Sequence, residues 1–243
     1  MMYRKKMFLS SLHLAHEMNG NWYPWSLNST PSDYILAWRR IHNIFSNKSL
    51  NSTRLQWIWC VNNADVGSYT AENYWVGNEY VDWLGIDGYN FGSSQSWSSW
   101  SWPNQTFDNM IARLRTLSPT KPLSINEYGS TTKRVGNISD ISAKTDWLNQ
   151  FCNYITNKQI IMASCFNEDK ETDWANFGGA RGDVVWNTLN GYSAYKNCLQ
   201  SSNWVVPNNT NPRILTDQQF AGVGKINIVR ERNSNRTSVA TTM

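Results

Sequence analysis

Five short apolar segments alternate with segments of helical periodicity, and this alternation constrains the fold more than any other feature of the chain. The apolar segments are residues 7–16, 55–61, 81–87, 122–126 and 160–166. Strands that alternate with helices form a parallel sheet, because each helix carries the chain back to the start of the next strand. The sequence therefore predicts an α/β fold. No GxGxxG or Walker loop supports the nucleotide site of an open, doubly wound sheet.

Polar side chains follow each apolar segment at the end where the predicted strand stops. Parallel strands place these ends at one mouth, where the catalytic residues of a (β/α)₈ barrel lie. We therefore predict a fold of the (β/α)₈ TIM-barrel type, with a functional site at this mouth. The polar groups, in chain order, are His16-Glu17, Asn62-Asn63, Asp87 with Tyr89, Glu127, and Asn167-Glu168.

The helical patterns have recognisable starts and ends. Thr30-Pro31-Ser32-Asp33 has the form of a capping box with proline at the first helical position, so a helix should begin there. Further helices are predicted near residues 71–78, 107–117, 139–157 and 186–199. Beyond residue 204 the periodicity fades, which predicts one domain over residues 1–204 and a polar tail over 205–243.

Composition excludes several kinds of partner and favours another. The net charge is only +4, charged residues make up 16% of the chain, and no run of five lysines or arginines occurs, so neither nucleic acid nor a membrane surface is an expected partner. The chain holds 14 Trp, 11 Tyr and 8 Phe. These rings either pack a core or, since many lie near short polar motifs, bind sugars, and composition leaves both alternatives open. We expect a monomer that needs no cofactor.

The cysteines and histidines show no pattern of a metal or redox site. The four cysteines have no CxxC spacing, and the three histidines have no suitable neighbours in the sequence, so no metal site is predicted. Cys60 and Cys165 fall in apolar segments and are predicted to be buried thiols. Cys152 and Cys198 fall in helical patterns and could form a disulfide if the two helices are neighbours.

Glu17 and Glu127 are candidates for a catalytic pair, since each follows a predicted strand. Strand ends of a parallel barrel face one mouth, so residues far apart in sequence can lie across one cleft. Hydrolysis of a glycosidic bond needs such a pair, with one carboxyl protonated and the other ionised. Retention of configuration needs carboxyls about 5–5.5 Å apart, and inversion about 6.5–9.5 Å.

Four segments, in this order, resemble glycoside hydrolase family 26, the β-mannanase family. They are HEMNGNWYPW, VDWLGIDGYN, PLSINEYGS and FNEDKETDW, and the resemblance spans about residues 8–200. It implies a retaining enzyme on a (β/α)₈ barrel, with the acid/base on the fourth strand and the nucleophile on the seventh. It also implies six site residues: Glu17 as acid/base, Glu127 as nucleophile, His16 as a sugar contact in the −1 subsite, Trp22 as a stacking ring, Tyr89 as hydrogen-bond partner of the nucleophile, and Trp174 as part of the −1 floor.

The resemblance also implies substrates and a location. The expected substrate is β-1,4-mannan or glucomannan, and mixed-linkage β-glucan or β-1,3-xylan are alternatives with the same chemistry. A non-catalytic remnant that binds polysaccharide through its tryptophans is a further alternative. If residues 7–16 are the fourth strand, the chain holds strands four to eight and lacks the first three βα units. An extracellular location is expected, with any signal peptide in the missing part.

Overall fold

The computed structural model describes residues 10–52 and 54–201, and its centre is a sheet of five parallel strands. Each neighbour in the sheet is the next long strand along the chain, which is the order of a (β/α) barrel and not of a doubly wound sheet. The described chain therefore forms part of a (β/α) barrel, and the five strands agree with the five predicted segments. The strands are β1 (Ser10–His13), β2 (Leu55–Asn62), β3 (Trp83–Asn90), β4 (Leu123–Ser130) and β7 (Met162–Cys165).

The helices of the described ranges are α1 (Pro24–Leu27), α2 (Pro31–Ser46), α3 (Pro103–Leu117), α4 (Ile141–Asn157) and α5 (Ser193–Gln200), with 3₁₀ turns at Ala71–Tyr74 and Asn78–Tyr80. The predicted capping box starts α2. The backbone N–H of Asp33 donates to the Thr30 hydroxyl at 3.2 Å, and the Asp33 carboxylate accepts from the Thr30 N–H at 3.1 Å.

Two antiparallel hairpins interrupt the alternation. The first joins β5 (Lys133–Val135) to β6 (Ile138–Ser139), just before α4. The second joins β8 (Val184–Trp186) to β9 (Leu189–Gly191), so the predicted helix at 186–199 is wrong in its first half. Asn187 and Thr188 have φ values of 49° and 69°, the left-handed backbone of a two-residue hairpin turn.

The central strands β2 and β3 are buried on both faces, which explains why they are mostly apolar. All eight residues of β2 are buried. Trp57 packs against Trp38 of α2 in the main core, whereas Ile58 and Cys60 point to the opposite face and pack with Trp83. Strands covered on both faces lose the alternation of apolar and polar residues that marks a half-exposed strand.

A disulfide joins α4 to α5. Cys152 and Cys198 are bonded, with Cα atoms 5.9 Å apart, so the pairing that the sequence allowed is present. Cys60 is buried as predicted, and Cys165 is only partly buried.

Among the described residues, no helix has both the length and the apolar character needed to cross a bilayer. The predicted tail over residues 205–243 lies outside the described residues.

Candidate active site

Glu17 is held in an unusual backbone conformation after β1. Ala15 and Glu17 have φ values of 41° and 54°, which residues other than glycine rarely adopt and which cluster at functional sites. The Glu17 N–H donates to the Cys60 carbonyl at 3.0 Å and anchors this turn on β2. The Trp22 indole N–H donates to Glu17 Oε2 at 2.8 Å. The Glu17 carboxyl is thereby fixed in direction and is only 7% exposed.

This environment raises the pKa of Glu17 to about 7. Burial is the largest cause, because it disfavours the charged form, and the nearby negative charge of Glu127 raises the pKa further. The hydrogen bond from Trp22 acts in the opposite direction. A carboxyl with a pKa near neutrality can both donate and accept a proton at neutral pH, as a general acid/base must.

Glu127 is directed by an irregularity in β4. Ile86 pairs with Ile125, but the next residue, Asp87, pairs with Glu127, so Asn126 is the extra residue of a bulge. Bulges next to active sites re-aim side chains. The Glu127 carboxylate then meets the neighbouring strand β3.

Tyr89 of β3 supplies the hydrogen-bond partner of Glu127. Its hydroxyl donates to Glu127 Oε2 at 2.5 Å, which is the contact that the family resemblance implied. Burial first, and then this hydrogen bond, raise the pKa of Tyr89, so the phenol keeps its proton at neutral pH and remains a donor. A hydrogen bond to an ionised carboxylate is stronger than one between neutral groups, and it orients the carboxylate.

Glu17 and Glu127 line one cavity of about 780 Å³. Cavities of this size hold several ring-sized groups of a ligand. The wall of this cavity is rich in aromatic rings, as expected for a sugar site. The aromatic lining residues are Trp22, Tyr23, Tyr89, Phe91, Trp97 and Phe166.

His16 lies beside the cavity and is partly buried. Its Nε2 atom is 3.0 Å from the Tyr23 hydroxyl, and burial lowers its pKa, so the imidazole is neutral at pH 7. Tyr23 stacks on Trp25 at 4.5 Å between ring centroids, and the Trp25 indole N–H donates to the His16 carbonyl at 2.8 Å. Tyr23 was missed as a site residue, although the NWYPW segment that contains it was singled out.

Trp174 does not face the cavity as the resemblance implied. Its ring is fully buried, 5.0 Å from the ring of Tyr89 and 4.8 Å from that of Phe91. The cavity meets Tyr89 and Phe91 instead, and Trp174 packs behind them. In this structure Trp174 therefore supports the rings of Tyr89 and Phe91 from behind.

Lys144 holds the segment that carries Trp174, and no sequence pattern indicated this role. Its side chain is fully buried, and Nζ donates to the carbonyls of Asp173, Trp174 and Ala175 at 2.6, 2.9 and 3.0 Å. Asp173 also accepts from the backbone N–H of Thr132 at 3.0 Å. Asp173 therefore ties its loop to the segment that follows β4.

His13, Cys60 and Asp87 meet on the inner face of the sheet, beneath the glutamates. The Cys60 thiol donates to Asp87 Oδ1 at 3.2 Å, and His13 Nε2 lies 3.8 Å from Asp87 Oδ2, too far for a hydrogen bond. Burial, followed by the charges of Glu127 and Glu17, raises the pKa of Asp87. These three side chains could hold a divalent cation. Sequence spacing did not indicate this cluster, because three separate strands bring its residues together.

A parallel βα sheet that directs two glutamates into one cavity lined by aromatic rings has the features of a glycoside hydrolase built on a (β/α) barrel. The sequence model described as Glycosyl hydrolase family 26 matches residues 11–161. The chain thus belongs to glycosyl hydrolase family 26.

Two curated relatives are similar over part of their length. Endoglucanase H of Acetivibrio thermocellus is 37% identical over 182 residues, which cover 71% of this chain and 19% of the relative. "Probable glucan endo-1,3-beta-glucosidase eglC" of Aspergillus oryzae is 28% identical over 127 residues, 48% of this chain and 25% of the relative. The chain thus spans 19% of the length of the first relative and 25% of the length of the second.

Solved structures of mannanases are also similar. The catalytic domain of the Bacillus sp. JAMB-750 GH26 endo-beta-1,4-mannanase is 19% identical, with a TM-score of 0.47, and covers 76% of this chain and 47% of that one. The Bacillus subtilis mannanase BCman is 19% identical, with a TM-score of 0.47, and covers 88% of this chain and 51% of that one.

Proposed function

We propose that this chain carries the catalytic site of a retaining endo-β-glycosidase. The observation that carries the proposal is the contrast between two glutamates in one cavity. Glu17 is buried and has a pKa of about 7, whereas Glu127 accepts a hydrogen bond from the Tyr89 hydroxyl. Two carboxyls in such different environments suit an acid/base and a nucleophile.

The first step forms a covalent intermediate. The Glu127 carboxylate attacks the anomeric carbon of the sugar, while Glu17 gives its proton to the departing glycosidic oxygen. The carbon–oxygen bond to the leaving sugar breaks, and an ester bond to Glu127 forms.

The second step returns the enzyme to its starting state. Glu17, now ionised, takes a proton from a water molecule, whose oxygen attacks the anomeric carbon. The ester bond breaks, the Glu127 carboxylate is released, and the configuration at the anomeric carbon is retained after two inversions.

His16 and Trp22 are the proposed sugar contacts nearest the reacting bond. Trp22 lines the cavity and is 43% exposed, and its N–H is occupied by Glu17, so its ring remains for stacking. His16 is a neutral imidazole beside Glu127, able to donate or accept a hydrogen bond from a sugar hydroxyl.

Three kinds of polysaccharide are candidate substrates. The motifs resemble those of β-mannanases, which favours β-1,4-mannan or glucomannan. The curated relatives are named an endoglucanase and a probable glucan endo-1,3-beta-glucosidase, which favours a β-glucan. β-1,3-Xylan is a third possibility with the same chemistry.

Hydrolysis by the purified full chain tests the proposal. We expect reducing sugar to be released from mannan, glucomannan or mixed-linkage β-glucan, and NMR of the first product to show retained configuration. Glu127→Ala should abolish release, whereas Glu168→Gln, an exposed glutamate that does not line the cavity, should leave it unchanged. Release of no sugar from these polysaccharides or from β-1,3-xylan, or release that survives Glu127→Ala, would reject the assignment.

A non-catalytic polysaccharide-binding protein is the alternative, and the exposed cavity tryptophans favour it as much as they favour an enzyme. Gels that contain mannan or β-glucan would then retard the protein without hydrolysis.

We further infer that β1, β2, β3, β4 and β7 correspond to the fourth to eighth strands of the family barrel, because the acid/base motif follows β1 and the nucleophile motif lies in β4.

We also propose an extracellular location, which is supported by the disulfide between Cys152 and Cys198, since disulfides persist in oxidising compartments. Detection of the protein in the culture supernatant, and not in the cell extract, would test the location.

A further inference from the structure

We propose that the ring of Trp97 is the platform of a second sugar subsite, remote from Glu17 and Glu127, which makes hydrolysis dependent on the length of the oligosaccharide. This inference rests on the proposed function and assigns a substrate-binding role to a loop between β3 and α3.

Trp97 is exposed in a way that packing does not explain. Among the tryptophans of the described ranges, only Trp22 and Trp97 are exposed, at 43% and 71%, and both line the cavity. Leaving an indole in water forgoes the free energy of its burial. The other tryptophans of the described ranges are buried or partly buried, so the two exposed ones are both found at this cavity.

The loop that carries Trp97 is well anchored, so the ring is held ready for a ligand. The backbone N–H of Ser93 donates to the Lys133 carbonyl at 2.7 Å, and the Ser98 hydroxyl donates to the Gly92 carbonyl at 2.7 Å. Gly92 has a φ of 52°, and a Cβ there would overlap the Lys133 carbonyl oxygen, so this tight contact requires glycine. A pre-ordered ring loses little conformational entropy when a sugar binds.

The Trp97 ring continues the aromatic wall that begins at the nucleophile. The Tyr89 hydroxyl donates a hydrogen bond to Glu127, and the ring centroids of Tyr89 and Phe91 are 6.0 Å apart. Trp97 lies 4.9 Å from Phe91, measured between ring centroids. The wall therefore runs outward from the reacting centre to Trp97, which a sugar chain would follow for more than one unit.

The chemistry at Trp97 fits a neutral β-linked sugar chain. A β-linked hexose presents an apolar C–H face that stacks on an aromatic ring and hydroxyls at its edge. Ser98 and Ser99 line the cavity beside Trp97; the Ser99 hydroxyl can bond that edge, and the Ser98 oxygen, whose proton is donated to the Gly92 carbonyl, can accept from it. Lys170 and Glu171, at the same cavity, carry opposite charges and give no preference for a charged sugar.

Hydrolysis of an oligosaccharide series by Trp97→Ala and Trp97→Phe tests the subsite. For the longest oligosaccharides we expect Trp97→Ala to lower kcat/KM about tenfold, mainly through KM, because a lost binding contact shared by ground and transition states raises KM. The shortest hydrolysed oligosaccharide should be cut at an unchanged rate. Trp97→Phe, which keeps an aromatic face, should retain most of the wild-type value. An equal fall for all lengths, or no fall for any, would overturn the subsite.

Val185→Ala is the matched control, because Val185 is 73% exposed in the hairpin of β8 and β9 and does not line the cavity. It should behave as wild type at every length.

Binding measured without hydrolysis separates this inference from the proposed function. In affinity gels with the polysaccharide, Glu127→Ala should be retarded, and adding Trp97→Ala should weaken the retardation several-fold. Equal retardation of the single and double variants would overturn the subsite even if the wild type hydrolyses the polymer. Absence of hydrolysis by the wild type, with retardation that depends on Trp97, would reject the enzyme and keep the binding site.

Discussion

At the scale of single residues, the candidate site is defined by two glutamates that differ in backbone conformation and in hydrogen-bond partners. Glu17 sits in a strained turn, is nearly buried and has its pKa raised to about 7. Glu127 directly follows the extra residue of a bulge, and its carboxylate accepts a hydrogen bond from the Tyr89 hydroxyl. Sequence position alone predicted both residues, because both follow apolar segments, but it could not predict this difference. The difference depends on burial and on neighbours from other strands.

Glu17→Gln should change the pH dependence of hydrolysis. With a pKa of about 7, Glu17 is protonated below pH 7 and loses its proton above it, so the wild-type rate should fall as the pH rises through this value. Glutamine cannot donate the proton, and kcat/KM should drop by about 10²–10⁴-fold with no alkaline fall at this pKa. Rates measured from pH 4 to 9 check this. Glu168→Gln should keep the wild-type profile, and an unchanged alkaline fall in Glu17→Gln would contradict the role.

Tyr89→Phe should slow the reaction without removing the cavity wall. Phenylalanine keeps the ring but lacks the hydroxyl that donates to Glu127. Loss of one donor at a catalytic anion typically lowers kcat about 10²–10³-fold. Steady-state kinetics measure the effect, and Tyr69→Phe, an exposed tyrosine outside the cavity, is the control. A wild-type kcat in Tyr89→Phe would show that this hydrogen bond has no catalytic role.

At the scale of elements, the loops after the strands are fixed by contacts that join distant parts of the chain. The segment after β7 is held by a lysine of α4, and α4 is bonded to α5 through a disulfide. The segment after β7 could be recognised from the family motif in the sequence. The contacts that hold it come from helices, and the sequence pattern of these helices shows only that they are amphipathic. A buried lysine in a helix is read from sequence as an ordinary surface residue.

Lys144→Met should destabilise the fold. The substitution leaves three buried backbone carbonyls without their shared donor, and each buried polar group left unsatisfied costs about 1–3 kcal/mol of the free energy of unfolding. Urea unfolding followed by fluorescence measures it. Lys158→Met, at an exposed pair with Asp108, should cost less than about 1 kcal/mol. Equal losses for the two variants would contradict the anchoring role of Lys144.

Cys152→Ser with Cys198→Ser should lower stability by roughly 3–4 kcal/mol. The disulfide closes a loop between residues 46 positions apart, and opening it restores freedom to the unfolded chain. Thermal or urea unfolding measures the loss. A reducing agent should destabilise the wild type in the same way and have no effect on the double variant. Insensitivity of the wild type to the reducing agent would show that the disulfide does not stabilise the fold.

At the scale of the whole molecule, the described chain is organised as one unit. A single hydrophobic cluster contains buried residues of α2, β2, β3, α3, β4 and α4, so these elements cannot separate without exposing a shared core. The five parallel strands and three of the predicted helices could be read from the sequence, because hydrophobic periodicity is a local property. The two hairpins were missed because their strands have only two or three residues, too few to show a periodicity, and each turn is a residue pair with positive φ, Gly136-Asn137 and Asn187-Thr188.

We expect this unit to unfold in a single cooperative transition. Elements that share one core lose their packing together. Melting curves from far-ultraviolet circular dichroism and from tryptophan fluorescence should coincide. Curves with different midpoints, or a gradual loss of signal without a transition, would show that these elements do not fold as one unit.

The sequence by itself determined the order of the five parallel strands and of the three long helices between them, the positions of Glu17 and Glu127 at strand ends, and the residues that mark the family. These properties follow from local periodicity and short motifs. Only the tertiary structure decided that Trp174 lies behind Tyr89, that Lys144 anchors its segment, and that His13, Cys60 and Asp87 meet beneath the site. Burial and neighbours from distant strands set the pKa of a carboxyl and the exposure of a ring, and neither is a property of the local sequence.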